Sequence, residues 1–487
     1  MRQNIIGRER EMTNLDNYIS SNQSEFIAIY GRRRIGKTFL VRELFEDKFA
    51  FRATGRDNVT TRQQLENFSQ ALKRYSGKDS TAGDWNQAFA LLGEYIENMP
   101  ETGPKLLFLD ELPWFDTRGS KFVSALEHFW NDWASYRRDI KLIVCGSATT
   151  WMLDEIIHSR GGLHNRVTHS IQLEPFTLHE TERYFAAHGF PYERPELLEC
   201  YMAVGGVAYY LTLFDRSESV AQNIDRLCFS RGGEMVGEFE NSFKSLFKKA
   251  HDHIAVVTAL QTKGMGMSRL ELIEKTGLGN NGNMTRLLNE LERCDFIRSY
   301  VPFGKSKKDK LYQLIDPFTL FYFRFMHGQT IYQQDYWLKL HTTPAYDNWC
   351  GYAFEIVCLN HLDQIMHALG IDGIISTPCS WTYRPRKAVL EDDLADEDLR
   401  HGAQIDLLIE RADRTINICE MKYSHGKYEI TKSYDSLVAH RMQTFRKVTK
   451  TNNTLVLLYI TPEGLVDNVY SRRLARTVVG NDLFVGR

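Results

Sequence analysis

Short apolar runs alternate with stretches of helical spacing through the first half of the chain. Phe26 to Tyr30, Ala50 to Ala53, Leu106 to Leu109 and Leu142 to Cys145 each read as a buried strand. Strands separated by helical patterns predict a parallel sheet covered by helices. That texture ends near Phe229, and from about Phe243 to Phe325 the pattern becomes a run of short helices followed by a hairpin. Ser268-Arg269-Leu270-Glu271 is a capping box that opens one helix, which stops near Gly277. Asn283 is the expected cap of the next helix, whose Met284, Leu287, Leu288 and Leu291 fall on one face. Two β-like stretches, Phe296 to Val301 and Lys310 to Ile315, flank a turn containing Gly304-Lys305-Ser306-Lys307-Lys308. From about Tyr346 a helix precedes two strands, Gln404 to Glu410 and Thr415 to Lys422, then a helix and a further strand.

Length and composition narrow this reading. At 487 residues the chain exceeds a single core and suits about three domains. Sixty basic residues against sixty-two acidic ones leave a net charge of −2, so any nucleic-acid surface has to be a local patch. The N-terminus lacks the apolar segment of a signal peptide, and no apolar run approaches the ~18 residues that would span a membrane. Eight scattered cysteines without C-x-x-C or zinc spacing predict reduced, buried thiols and a cytoplasmic protein. The acidic run Glu391 to Asp398 reads as a solvated loop.

The sharpest chemical signal follows the first strand. Gly31-Arg32-Arg33-Arg34-Ile35-Gly36-Lys37-Thr38 is a complete G-x-x-x-x-G-K-T pattern between a strand and an amphipathic helix that begins with Phe39 and Leu40. Its glycines let backbone N–H groups close round a phosphate at a helix N-terminus. Lys37 is then placed for the β- and γ-phosphates and the Thr38 hydroxyl for Mg²⁺. The strand Leu106 to Leu109 ends in Asp110, expected in the magnesium shell, and Glu111, the expected base for an attacking water. A third strand runs into Gly146-Ser147, where Ser147 is the candidate to sense the γ-phosphate or orient the water. ATP and Mg²⁺ are the expected cofactors.

These motifs resemble those of the AAA-type ATPases typified by archaeal members, within the wider STAND-like NTPases. The resemblance takes in Gly7-Arg8-Glu9-Arg10-Glu11, a box that implies a place near the adenine base and brings Arg8 into the nucleotide set with Gly31 through Phe39. It also takes in Asn165-Arg166 ahead of Leu173-Glu174-Pro175-Phe176, which implies an arginine finger or intramolecular sensor at Arg166, with Arg160 as the alternative. Gly205-Gly206-Val207-Ala208-Tyr209-Tyr210-Leu211 resembles the family's lid motif, with Ala208 where a proline is usual.

The middle region has the order of a winged helix, in which the second helix enters the DNA major groove and a basic wing meets backbone phosphate. Arg286, Asn289 and Arg293 then lie outward. A structural relay for the ATPase is the alternative. In the last region Glu420 and Lys422 alternate onto one strand face, Asp406 starts the neighbouring strand, and Glu355 sits on the preceding helix. Glu355, Asp406 and Glu420-x-Lys422 together resemble the PD-(D/E)xK nuclease superfamily. That resemblance implies Asp406 and Glu420 as metal ligands, Lys422 steadying the nucleophile or charge, and Glu355 completing the shell. The expected fold is α/β: a P-loop parallel-sheet ATPase with a helical lid at 1–235, a winged helix at 243–325, and a restriction-endonuclease-like domain at 346–487. The expected partners are nucleotide and DNA, with no membrane and with a homo-oligomer left open. A nucleotide-switched regulator with an inactive nuclease-like domain, or a defence effector acting on RNA or protein, stands as the other reading.

Overall fold

The computed structural model describes residues 4–100, 103–158, 161–247, 249–328, 335–341, 343–385 and 397–486. Arg160 and the acidic stretch from Glu391 to Asp396 lie outside the described residues. The chain divides into two compact units. The first is Met1–Pro175 with Val207–Tyr209 and Lys244–Lys248; the second is Phe176–Gly206, Tyr210–Phe243 and Lys249–Arg487.

The first unit is built on five parallel strands: β1 (Glu25–Tyr30), β2 (Phe49–Thr54), β3 (Lys105–Asp110), β4 (Ile140–Gly146) and β5 (His169–Gln172), in the order β2-β3-β4-β1-β5. The inner strands are apolar on both faces, as a sheet sandwiched between helices requires. Ile27, Ile29, Phe108 and Ile143 pack with α1 (Glu9–Ser20) and α2 (Lys37–Phe45). Their alternating neighbours Phe26, Ala28, Leu107 and Val144 pack on the other side, against helices Thr61–Ser76, Trp85–Glu97 and Phe122–Asp132. On that second side Trp85 meets Phe68, Phe115 and Phe122 edge-on at centroid distances of 5.6, 5.5 and 4.9 Å, the geometry aromatic quadrupoles favour.

The second unit contains helices Leu178–Ala187, Arg194–Val204 and Val220–Phe229, which the sequence reading placed with the ATPase up to residue 235. Buried His361 is one reason they group here. Its Nε2 accepts from the Leu178 N–H at 2.9 Å, and Nδ1 donates to the Val357 carbonyl at 2.8 Å. This ties the first of those helices to helix Pro344–Asn360.

Next comes a module of helix Ala250–Leu260, β6 (Met267–Ser268), helix Arg269–Thr276, helix Gly282–Arg293, β7 (Ile297–Tyr300) and β8 (Leu311–Leu314), with its antiparallel sheet ordered β6-β8-β7. Ser268 and Glu271 form the expected capping box, and Gly277 ends that helix at φ 70°. The next helix starts earlier than expected: Asn281 is its cap, accepting from the Asn283 N–H, so Asn283 is helical. Met284, Leu287, Leu288 and Leu291 are all buried on one face, as expected.

The last sheet has five strands: β9 (Ser376–Tyr383), β10 (Ala403–Arg411), β11 (Thr415–Met421), β12 (Thr454–Thr461) and β13 (Thr477–Val479), ordered β13-β12-β11-β10-β9. β10 is antiparallel to both neighbours, while β11, β12 and β13 run parallel. Helix Lys432–Thr449 covers one face through Phe445, which packs with Ile405, Leu408, Ile416 and Ile418. All eight cysteines are unpaired and buried.

Burial holds the His361 imidazole neutral, with its pKa pushed down to about 4. The unfolded chain, titrating near 6.5, takes up the proton first. The stability this residue contributes is therefore present above about pH 6.5 and lost as pH falls toward 4. Melting curves between pH 7 and 4 should show the parent losing about 1–3 kcal/mol more than His361→Leu, which starts less stable at pH 7.

Candidate functional site

Parallel strands deliver their C-terminal ends to one edge. Tyr30 is level with Gly146, and Leu109 with Val144, so β1, β4 and β3 release the Gly31–Thr38 loop, Ser147 and the Asp110–Glu111 pair side by side. Gly31 has φ 139°, and a Cβ there would lie 2.2 Å from the Leu173 carbonyl oxygen. Only glycine fits under the chain leaving β5. Gly36, at φ 95°, turns the loop into α2. Lys37 Nζ donates to the Gly31 and Arg32 carbonyls, each at 2.8 Å, which holds the ammonium within the loop.

The acids are arranged from both sides. Thr38 Oγ1 donates to Asp110 Oδ1 and Oδ2 at 3.0 and 3.1 Å. Burial and the neighbouring Glu111 charge push the Asp110 pKa up to about 6, against the Thr38 hydroxyl and Lys37. Glu111 takes φ 48°, and its Oε2 accepts from the Ser147 hydroxyl at 2.8 Å and its backbone N–H at 3.3 Å. Ser147 therefore orients the acid directly. A Mg²⁺ ion fits this donor set: two hard oxygens meet beside a buried carboxylate whose charge a cation would relieve.

The remaining expected nucleotide residues are distributed round this core. Arg8 is buried, with φ 66° at the head of α1, and Nη2 donates to the Glu174 carbonyl at 2.6 Å, just beyond β5. Arg32 is buried and Arg33 half-buried; Ile35 points into the hydrophobic core, so it offers the site its backbone alone. Arg34 stacks its guanidinium 4.4 Å from the Tyr209 ring, and its carbonyl accepts from the Tyr209 N–H at 3.1 Å. Tyr209 is the partner the sequence reading missed; its place in the lid-like segment was the available signal. Phe39 is half-exposed, and Arg166 sits on an exposed turn outside this set of contacts.

The C-terminal acids have different hydrogen-bond partners, although Glu355 feels the charges of Asp406, Lys422 and Glu420. Glu420 and Lys422 do share a face, Nζ to Oε2 being 4.0 Å. That face is turned to helix Lys432–Thr449, where Arg441 Nη1 donates to both Glu420 oxygens at 3.0 and 3.2 Å and the Tyr434 hydroxyl donates to Oε2. A bulge between Ile405 and Leu408 re-aims Asp406. It lines a cleft with Glu355 instead, its Oδ1 accepting from Gln404 Nε2 at 2.6 Å. Burial, then the Asp406 charge, pushes the Glu355 pKa up to about 8. Among the described residues no three His, Cys, Asp or Glu side chains stand close enough to hold a metal ion. Glu420, expected as a metal ligand with Asp406, is here ion-paired with Arg441.

Residues 5–214 match an ATPase domain described as predominantly from Archaea. The matched stretch takes in the Gly31–Thr38 loop, the Asp110–Glu111 pair and Ser147. An uncharacterized protein of Methanocaldococcus jannaschii is 26% identical over 378 residues, covering 74% of this chain and 78% of its own length. An uncharacterized ATP-binding protein of the same organism is 37% identical over 50 residues, 10% of this chain and 85% of its own. Among solved structures, a Walker-type ATPase of Pyrococcus abyssi aligns with a TM-score of 0.48 at 16% identity, covering 66% of this chain and 96% of its own. The ORC2 protein of Aeropyrum pernix aligns with a TM-score of 0.38 at 14% identity, covering 72% and 94%. Among the described residues no helix is long and apolar enough to cross a membrane.

Two substitutions separate binding chemistry from structural charge. For Asp110 the folded pKa lies above the unfolded one, so its ionisation costs stability as pH rises from about 4 to 6 and the cost is complete above 6. With nucleotide and metal absent, Asp110→Asn should raise stability by about 1–2 kcal/mol at pH 8 and leave it unchanged at pH 4, measured by denaturant unfolding. Glu420→Ala should destabilise by about 1–3 kcal/mol in EDTA, because it strands Arg441. The effect falls short of a fully buried pair since Arg441 keeps 21% of its side chain exposed. A loss that appears only when divalent metal is present would return Glu420 to the role of ligand.

Proposed function

We propose that this ATPase couples its nucleotide state to the binding of nucleic acid by the second unit. The observation that carries the reading is the convergence of Lys37, the Thr38–Asp110 pair and the Glu111–Ser147 pair at one sheet edge. In this reading Lys37 leaves its carbonyls for the β- and γ-phosphates, and Thr38 and Asp110 hold Mg²⁺. When bound, the metal neutralises charge on the phosphate oxygens. Glu111, aimed by Ser147, accepts a proton from the attacking water. Arg8 is assigned to the adenine side of the site, and Arg166 to a sensor or a finger offered to another copy.

For the second unit the reading rests on the module from Ala250 to Leu314, whose helix, strand, two helices and hairpin follow the order of a winged helix. Asn289 and Arg286 are exposed on the helix Gly282–Arg293, and Lys307 and Lys308 are exposed at the hairpin tip. These are the positions that would meet base edges and backbone phosphate. The Arg441–Glu420 pairing favours a C-terminal sheet that binds rather than cuts. A plasmid-nicking assay with Mg²⁺ or Mn²⁺ decides between those two roles.

Lys37→Ala should abolish tight ATP binding, whereas Glu111→Gln should keep ATP and lose turnover by roughly 10²-fold or more. Nucleotide titration and a phosphate-release assay measure the two effects. ATP binding by Lys37→Ala at the parent's affinity would remove the phosphate-cradle assignment.

A further inference from the structure

Within the second unit the hairpin between β7 and β8 is fastened to the C-terminal sheet. The Phe303 N–H donates to the Ser380 carbonyl at 2.8 Å, and the Phe303 ring lies 5.0 Å from Phe445. The Ser380 hydroxyl donates to Tyr300 Oη at 3.0 Å, and that hydroxyl donates on to the Met265 carbonyl at 2.6 Å. The hairpin base is therefore one wall of a cleft of about 740 Å³ whose other walls are the helix Pro344–Asn360 and the strands β9 and β10.

Its chemistry is sorted by depth. Lys305 and Arg384 are exposed at the rim, while Glu355, half-buried, and Asp406, steadied by Gln404, line the interior. One aromatic ring stands beside them: Tyr352 lies close over Gly264, where an added Cβ would come within 3.0 Å of the ring, whereas the Trp381 ring is buried edge-on against Phe445. We propose that this cleft takes an unstacked nucleotide of a single-stranded nucleic acid, with phosphate at the Lys305–Arg384 rim and the base edge on Asp406 and Glu355. The proposal rests on the reading that the second unit binds nucleic acid, and it names the form bound. Rim cations suit a backbone and repelling acids suit the base, since carboxylates accept from exocyclic amino groups. A base stacked on an aromatic side chain such as Tyr352 is how single strands are held without pairing. The volume lies in the range, about 300–1,000 Å³, that encloses one small organic ligand, and a fastened hairpin leaves no way to widen it for a duplex.

The test is fluorescence anisotropy of the full chain in EDTA, with a labelled single strand and the blunt duplex of the same sequence. The strand should bind at least tenfold more tightly, and dC-rich strands more tightly than dT. Lys305→Glu with Arg384→Glu should lower strand affinity at least tenfold with ATP binding and melting unchanged. Replacing both side chains by alanine should flatten the log–log salt slope by about 0.7 per lost contact. Duplex binding equal to or tighter than strand binding, or an unaffected charge-reversal variant, overturns the cleft assignment. If the duplex alone binds and is lost with Lys307 and Lys308, the cleft assignment fails while the nucleic-acid reading stands. If no oligonucleotide of either form binds, both fail. A free mononucleotide that displaces the strand from Lys37→Ala protein at equal affinity assigns the cleft to small nucleotides and overturns the proposal.

Discussion

The first unit depends on one constraint: all its strands point the same way. A parallel sheet puts every strand's C-terminal end on a single edge, so segments far apart in the chain arrive together without contacting elsewhere. β4 lies between β1 and β3, which sets the phosphate loop and the acid pair one strand apart. The 3.0 Å bond from Thr38 to Asp110 spans that gap. Ser147, leaving the intervening strand, closes it from the third direction by holding Glu111. Gly31 is part of the same constraint, because the chain leaving β5 crosses it too closely for any side chain.

Buried acids are handled differently in the two units. Asp110 is kept beside another carboxylate, and the Thr38 hydroxyl, the Glu111 N–H and a nearby ammonium do not offset its burial, so its charged form is disfavoured. That imbalance is what a nucleotide-bound cation corrects. Glu420 has already been neutralised by Arg441, with Tyr434 satisfying a further lone pair. A carboxylate so paired gains little from a metal, which would first have to displace a guanidinium at 3.0 Å. The same kind of group is therefore left short of positive charge in one place and ion-paired in the other, and the difference lies in neighbours contributed by helix Lys432–Thr449.

That contrast also explains what was legible in the sequence. The inner strands β1, β3 and β4 were plain because both their faces are buried, and so were the glycines, Lys37 and Asp110, whose spacing is local. The strands that escaped notice, β5, β6, β9 and β13, are all edge strands. Edges need fewer apolar residues and tolerate breaks in pattern: β5 is His169-Ser170-Ile171-Gln172, and β9 carries Pro378. Asp406 and Glu420 were expected to meet because regular alternation across β10 and β11 would have aimed them alike. The bulge at Ile405/Leu408 breaks that alternation, and nothing in the local composition announces it. Arg441 and Tyr434, twenty-one and fourteen residues beyond Glu420, were invisible as partners for the same reason: tertiary pairing leaves no periodic trace.

Between Tyr209 and Tyr210 the chain passes from the first unit to the second across one peptide bond. Tyr209 belongs to the first unit through its N–H bond to the Arg34 carbonyl and its stacking on the Arg34 guanidinium. The very next residue, Tyr210, belongs to the second unit, where it is buried and donates to Glu238 at 2.9 Å. Arg34 lies inside the phosphate loop with φ 70°, a conformation that few side chains adopt without support. The second unit is cross-tied within itself, by Leu178 to His361 and by Phe303 to Ser380. Arg34 and Tyr209 thus fasten the last residue of the first unit's short Val207–Tyr209 segment to the phosphate loop.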